Sequence, residues 1–192
     1  VTCGIVYITY GPNAKREAQK SIAGLKKHND FPITIIDESV FSDNSFGARW
    51  AKLNIDKLVD YDKVLYLDAD TRILGDISSG FEFLDDWDLV IAISDHQDTM
   101  AFAHIKTGER LQTVRELCYR PIQLQAGVMF FHRQRCAKLF EAWRKEWQRW
   151  KLQDQAALLR ALQKEPVKVW LLSKEWNSLD GSLIKHLFGR AR

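Results

Sequence analysis

Apolar positions follow two rhythms along this chain, and the two alternate. Short unbroken runs such as Ile5-Val6-Tyr7-Ile8 and Val64-Leu65-Tyr66-Leu67 predict strands buried on both faces. Segments with apolar residues every three or four positions predict helices. The first strand spans Thr2 to Thr9 and ends at the breaker Tyr10-Gly11-Pro12. From Asn13, Ala14, Ala18, Ile22 and Leu25 share one helix face until Phe31-Pro32 interrupts, and Ile33 to Ile36 is a second strand. Ser39 to Ser45 reads as polar loop, and Phe46 to Val59 as one helix leading into the strand that ends at Asp68. Leu74 to Leu84 is turn and short helix, and Asp88 to Ile93 is a fourth strand. The stretch 97–123 reads as loop plus a short helix, a substrate-facing insertion. Leu124 to Phe131 is a strand, and Gly127 within it marks a bulge or a close backbone approach. Helices over Gln134 to Trp150 and Asp154 to Gln163 follow, then a last strand over Val167 to Leu172. Alternation of this kind predicts an α/β sandwich with a mainly parallel sheet, folded as a single domain over residues 1–192.

Composition changes this picture little. A net charge of +3 is too small to imply a polyanionic partner. Leu139, Phe140, Trp143, Trp147 and Trp150 form one helical stripe, so the Lys- and Arg-rich stretch around them reads as the solvated face of a core helix. Nucleic-acid and membrane partners are therefore not expected, and no run is long enough to span a bilayer. Cys3, Cys118 and Cys136 lack metal-type spacing and suggest small buried thiols in a reducing, cytoplasmic setting. The chain opens on Val1 inside a strand-like segment, which suggests a piece of a longer protein.

The chemistry concentrates at Asp68-Ala69-Asp70. Open α/β sheets bind ligands at the carboxyl ends of their strands, and this acidic pair follows one. Two carboxylates there are costly without a cation. Hard oxygens suit Mg²⁺ or Mn²⁺, and those ions commonly accompany phosphates. No Walker-type loop, Gly-x-Gly-x-x-Gly or Ser-nucleophile elbow is present. Asp68-Ala69-Asp70-Thr71 also resembles the first motif of haloacid-dehalogenase-type phosphohydrolases, with Asp68 as nucleophile, although two strands and two helices precede it here.

A longer series of motifs points elsewhere. In order, these are Ile8-Thr9-Tyr10, Lys52-Leu53, Tyr61, Leu65 to Thr71, Ala126-Gly127-Val128, Asp154-Gln155, Trp176-Asn177 and His186 to Gly189 followed by Arg190 and Arg192. Together they resemble glycosyltransferase family 8, the glycogenin-like group of GT-A enzymes, over nearly the whole chain. The resemblance implies the GT-A fold, a Rossmann-like α/β/α sandwich with a mainly parallel mixed sheet. It implies transfer of a sugar, with retention, from a nucleotide-sugar donor, UDP-linked, to a glycan, protein or small-molecule acceptor. Asp68, Asp70 and His186 become the implied ligands of Mn²⁺ or Mg²⁺. Thr9 and Tyr10 fall where the family holds the base, and Arg49, Lys52, Ala69, Asp95, Gly189 and Arg192 fall along the donor. Asp154 stands at the one family-matching position for a carboxylate against the sugar, and Gln125 beside the sugar as positive charge develops. Two departures are visible: Gln125 replaces the usual Asn, and Ala14 replaces an aromatic residue over the base. A non-catalytic, nucleotide-binding relative, docking a partner through the Trp-rich helix, is the remaining alternative.

Overall fold

The computed structural model describes residues 1–40, 47–101 and 104–191, without the side chains of 95–97 and 101. The expected loop at Ser39 to Ser45 and the helix start at Phe46 thus fall largely outside the described residues. Among the described residues eight strands and seven α-helices alternate: β1 Cys3–Ile8, α1 Gly11–Leu25, β2 Ile33–Ile36, α2 Gly47–Leu53, α3 Ile55–Leu58, β3 Lys63–Leu67, β4 Thr71–Ile73 and α4 Ser78–Glu82 in the first half. The second half holds β5 Leu89–Asp98, α5 Thr107–Leu117, β6 Ile122–His132, α6 Ala137–Gln148, α7 Asp154–Lys164, β7 Val169–Leu172 and β8 Ile184–His186. Six strands form one sheet in the order β2-β1-β3-β6-β5-β7, and β4 pairs with β8 in a small second sheet. β1 is parallel to β2 and β3, and β5 is parallel to β7. β6 is antiparallel to both β3 and β5, so it alone in the large sheet runs against the rest.

Strand alternation builds the core on both faces of this sheet. Val6, Ile8, Val64, Tyr66, Met129 and Phe131 face α2, α3, α6 and α7. Ile5, Tyr7, Leu65, Leu67, Val128 and Phe130 face α1, α4, β4 and β8. The tryptophan stripe of α6 is a core feature, with Trp143 at 1% and Trp147 at 6% exposure, while Trp150 lies at its half-buried margin. Helix α1 starts two residues before the expected Asn13, because Gly11 at a φ of +84° and Pro12 in the first turn open the helix as well as end the strand. Its small residues allow close approach: a Cβ on Gly24 would lie 2.7 Å from the Ile73 carbonyl oxygen of β4.

Three expectations need correction. The single helix over Phe46 to Val59 is two, because the Asn54 side chain turns back to the Trp50 carbonyl at 2.8 Å and interrupts the ladder. The segment 97–123 is less of an insertion than expected. It contains helix α5, but β5 extends into it as far as Asp98 and β6 begins at Ile122. The thiols are not all buried: Cys136 is, but Cys3 is half-buried and Cys118, at the left-handed end of α5, is exposed. Beyond the expected elements, Thr71 pairs with His186 and Ile73 with Ile184 in the β4–β8 ladder. Strands of three residues carry too little periodicity to be read alone; each exists because the other pairs with it.

Candidate functional site

The chain runs from β1 to β2 on one side and returns to β3 on the other. This reversal leaves a crevice at the carboxyl ends of β1 and β3. A cavity of about 530 Å³ opens there, lined by Tyr10, Lys52, Asp68, Asp70, Gln125 and His186 among others.

Asp68 is the first residue past β3. Its N–H donates to the Gly127 carbonyl at 2.8 Å, and its own carbonyl accepts from the Thr71 N–H and hydroxyl at 3.1 and 2.9 Å. That closed turn carries Asp70 inward, to 4% exposure. The β4–β8 ladder then delivers His186 from the other end of the chain. His186 Nε2 lies 3.1 Å from Asp70 Oδ1 and 3.6 Å from Asp68 Oδ2. One ligand atom from each of the three residues lies within 4.8 Å of the others.

Packing around this trio is close. A Cβ on Gly127 would sit 2.3 Å from His186 Cε1 and 2.7 Å from Asp68 Oδ2. The glycine is therefore a close-approach position, one of the two roles its sequence context predicts. It also lies in an irregularity of β6: the partner of Ile91 is Met129, but the partner of the next residue, Ala92, is Gln125.

The outer contacts orient each ligand. Tyr66 hydroxyl donates to Asp68 Oδ1, and Tyr66 and Asp68 share a strand face because they are two residues apart. Asp70 Oδ2 accepts the Arg190 N–H at 3.0 Å. Burial opposes the Asp70 charge, but the His186 hydrogen bond and charge, with backbone N–H donors, lower its pKa to about 2. Two carboxylate oxygens and one imidazole nitrogen converging on a space bounded by a glycine are a donor set that fits a divalent cation such as Mn²⁺ or Mg²⁺.

A second charged group lies beside the first. Lys52 Nζ is 3.0 Å from Asp154 Oδ2 and 3.7 Å from Asp68 Oδ1, and it sits 4.8 Å above the Tyr66 ring. Arg49 Nε lies 3.7 Å from Asp154 Oδ1. Burial opposes ionisation of Asp154, yet the charges of Lys52 and Arg49 lower its pKa. Burial likewise opposes the Lys52 charge, and Asp154 and Asp68 raise its pKa. Asp154 heads α7, whose entry is held by the Trp143 indole N–H donating to the Asp154 carbonyl at 2.7 Å. Gln155 Nε2 donates to Gln125 Oε1 at 2.8 Å.

Of the other residues singled out from the sequence, Ala69, Gly189, Tyr10 and Ala14 line the cavity. Thr9 does not. Thr9 is 2% exposed, while its chain neighbours Ile8, the last residue of β1, and Tyr10, just before α1, are the ones that line the cavity. Asp95 belongs to β5, but its side chain is outside the described set, and Arg192 lies outside the described residues. Sequence reasoning assigned no role to Tyr66, Gln155, Ser94 or His104, all of which line the cavity. For Tyr66 a signal existed in its i, i+2 relation to Asp68.

The model of glycosyl transferase family 8 matches residues 12–183. No curated protein sequence matches the chain significantly. Among solved structures, mouse xyloside xylosyltransferase 1 superposes with a TM-score of 0.67 at 11% identity, over 100% of this chain and 99% of that one. The bifunctional glycosyltransferase WbbM gives a TM-score of 0.74 at 16% identity, over 98% of this chain but 46% of its own. The galactosyltransferase LgtC, solved with donor and acceptor sugar analogues, gives 0.60 at 16% identity, over 97% of this chain and 87% of its own. At these identities the structural likeness shows the fold, which is GT-A. The family match runs from α1 to the threshold of β8 and stops just before His186, so the meeting of His186 with the acidic pair is a separate observation. On the breadth of that match the chain belongs to glycosyl transferase family 8 and is a glycosyltransferase.

Proposed function

We infer that this chain moves a sugar from a UDP-linked donor to an acceptor, with retention, and that Asp68, Asp70 and His186 hold a divalent cation, Mn²⁺ or Mg²⁺, for that purpose. The observation that carries the reading is the convergence of two acids after β3 and an imidazole from β8, with ligand atoms within 4.8 Å, beside an open cavity. When bound, such a cation acts as a Lewis acid toward the charge that develops on a departing diphosphate. The chain's own groups supply the rest. Lys52, between Asp68 and Asp154, places a fixed positive charge beside the acids where the donor's phosphates or sugar would lie. Tyr10 and Ala14 line the same cavity, with Tyr10 the aromatic candidate to stack on the base. Arg49 and Lys52 keep Asp154 ionised, so it is available to face a developing positive charge on the sugar.

Gln125 and Gln155 lie side by side along the cavity, their side-chain amides joined at 2.8 Å. Gln125 keeps the role of facing the sugar as positive charge develops, with Gln155 as its hydrogen-bonded partner. A phosphohydrolase built on Asp68 is set aside by the family match.

The test combines binding and turnover. Melting is measured with UDP, GDP and ADP, each with and without Mn²⁺. A nucleotide at a hundred times its Kd stabilises the fold by about 2.7 kcal/mol. The expected result is a shift with UDP that requires Mn²⁺, followed by Mn²⁺-dependent consumption of a UDP-sugar and a retained anomeric configuration by NMR. Asp70→Asn is expected to abolish turnover and leave the circular dichroism unchanged. Metal-independent turnover overturns the cation assignment, and nucleotide binding without turnover of any donor supports a non-catalytic relative instead.

A further inference from the structure

Only one nitrogen of His186 faces the acidic pair, and what the other nitrogen touches decides which of them carries the ring proton. His186 Nδ1 lies 2.8 Å from Asn177 Oδ1. The Asn177 amide has a fixed orientation, because its Nδ2 lies 3.2 Å from the backbone carbonyl of Gln125, which can only accept. With the NH₂ committed to that carbonyl, an oxygen meets Nδ1, and Nδ1 must bear hydrogen. Nε2 is then the nitrogen left with a lone pair once a cation is present. It is also the one placed 3.1 Å from Asp70 Oδ1 and 3.6 Å from Asp68 Oδ2. Asn177 itself is 3% exposed and is not among the residues lining the cavity, so it does not touch a donor there. Its backbone neighbour supports the same ring, since the His186 N–H donates to the Ser178 carbonyl at 2.8 Å.

We propose that Asn177 is a positioning residue for cation binding: it holds the proton of His186 on Nδ1, aims Nε2 at the acidic pair, and ties the ring to the strand that carries Gln125. This rests on the cation reading given above. Asn177 follows Trp176, which is 7% exposed and packs edge-on against Phe130 at 5.7 Å. The aromatic residue thus anchors the short turn that presents the amide.

Two measurements on the full chain test this. Mn²⁺ binding is followed by the loss of the free-ion EPR signal. Asn177→Leu, similar in size but unable to accept a hydrogen bond, is expected to weaken Mn²⁺ binding about 10–100-fold. Asn177→Asp keeps an oxygen against Nδ1 and is expected to stay within about threefold of wild type, the range left by an intact outer contact. Long-range ¹H–¹⁵N NMR of the metal-free wild type, with His186 assigned by its loss in His186→Gln, is expected to show a proton on Nδ1 protected from solvent exchange. That measurement needs no variant of Asn177 and stands if Asn177→Leu does not fold. A bare Nδ1, or Asn177→Leu binding Mn²⁺ as tightly as wild type, overturns the role of Asn177. Absence of Mn²⁺ uptake by the wild type, with Nδ1 protonated as expected, overturns the cation reading instead.

Discussion

Arg160 is the most informative residue to remove. It lies on α7 at 1% exposure and joins three helices. Its Nε donates to Glu146 Oε2 of α6 at 2.9 Å, and its two terminal nitrogens donate to Thr113 Oγ1 at 2.6 Å and Glu109 Oε1 at 3.0 Å, both on α5. Arg160→Met keeps most of the stem and deletes the charge. Glu146 retains Arg149 and Lys164 as partners. Glu109 retains no cation: its salt bridge is to Arg160, its exposure is 0%, and its Oε2 already lacks a hydrogen-bond partner among the described residues. The variant therefore strands one buried carboxylate, and the expected loss is about 3–5 kcal/mol. With a urea m-value of about 2–3 kcal/mol/M, the midpoint falls by roughly 1–2.5 M. The pH dependence gives a second reading. Burial raises the Glu109 pKa even with Arg160 beside it, and without Arg160 it rises further. A carboxyl raised in the folded state stays protonated there while it ionises in the unfolded chain. Its stability contribution is then full below the unfolded value and declines as pH rises through the folded one, by up to about 1.4 kcal/mol per pH unit. The wild-type minus variant difference should accordingly shrink as pH falls through the acid range. Adding Glu109→Gln to the variant should restore about 2–3 kcal/mol as the coupling between neighbours. A loss below about 1 kcal/mol, or a difference that ignores pH, would refute the claim that Arg160 compensates a buried charge.

Three further outcomes follow from the same geometry. Gly127→Ala places a Cβ 2.3 Å from His186 Cε1 and 2.7 Å from Asp68 Oδ2, so Mn²⁺ uptake should fall by tenfold or more, roughly the effect of a displaced ligand; unchanged uptake by EPR means that β6 yields instead. Tyr66→Phe removes the hydroxyl that donates to Asp68 Oδ1, and it should cost about 1 kcal/mol in urea unfolding and weaken Mn²⁺ binding; equal affinity would show that Lys52 alone holds the carboxylate. Trp143→Phe removes the indole N–H bonded to the Asp154 carbonyl and leaves a void in the α6–α7 core, for an expected loss of about 1–3 kcal/mol; no loss in urea unfolding would mean that α7 enters without that bond.

Several parts of this protein were legible in its sequence because they are local. The unbroken apolar runs of β1 and β3 and the stripe on α6 can be read from period alone, and they fix a layered α/β fold. Asp68-Ala69-Asp70 announced itself by chemistry, since two acids past a buried strand are costly without a cation. The order of its motifs carried the family. Tertiary structure decided the rest. A three-residue strand has no period to detect, so the β4–β8 ladder that sets His186 beside Asp70 emerges only when both ends of the chain are folded together. The identity of the ring nitrogen that faces the acids depends on Asn177 and the Gln125 carbonyl, two contacts among three residues with no common spacing in the chain. Asp154 can be named from its motif, but its two cations, Lys52 and Arg49, come from α2, some hundred positions earlier, and meet it only because α2 and α7 pack on the same face of the sheet. Hydrophobic patterning acts over a few residues at a time, whereas electrostatics and hydrogen bonding act over a few ångströms. The sequence therefore determined which elements form and which chemistry they carry, and folding determined which of those groups face one another.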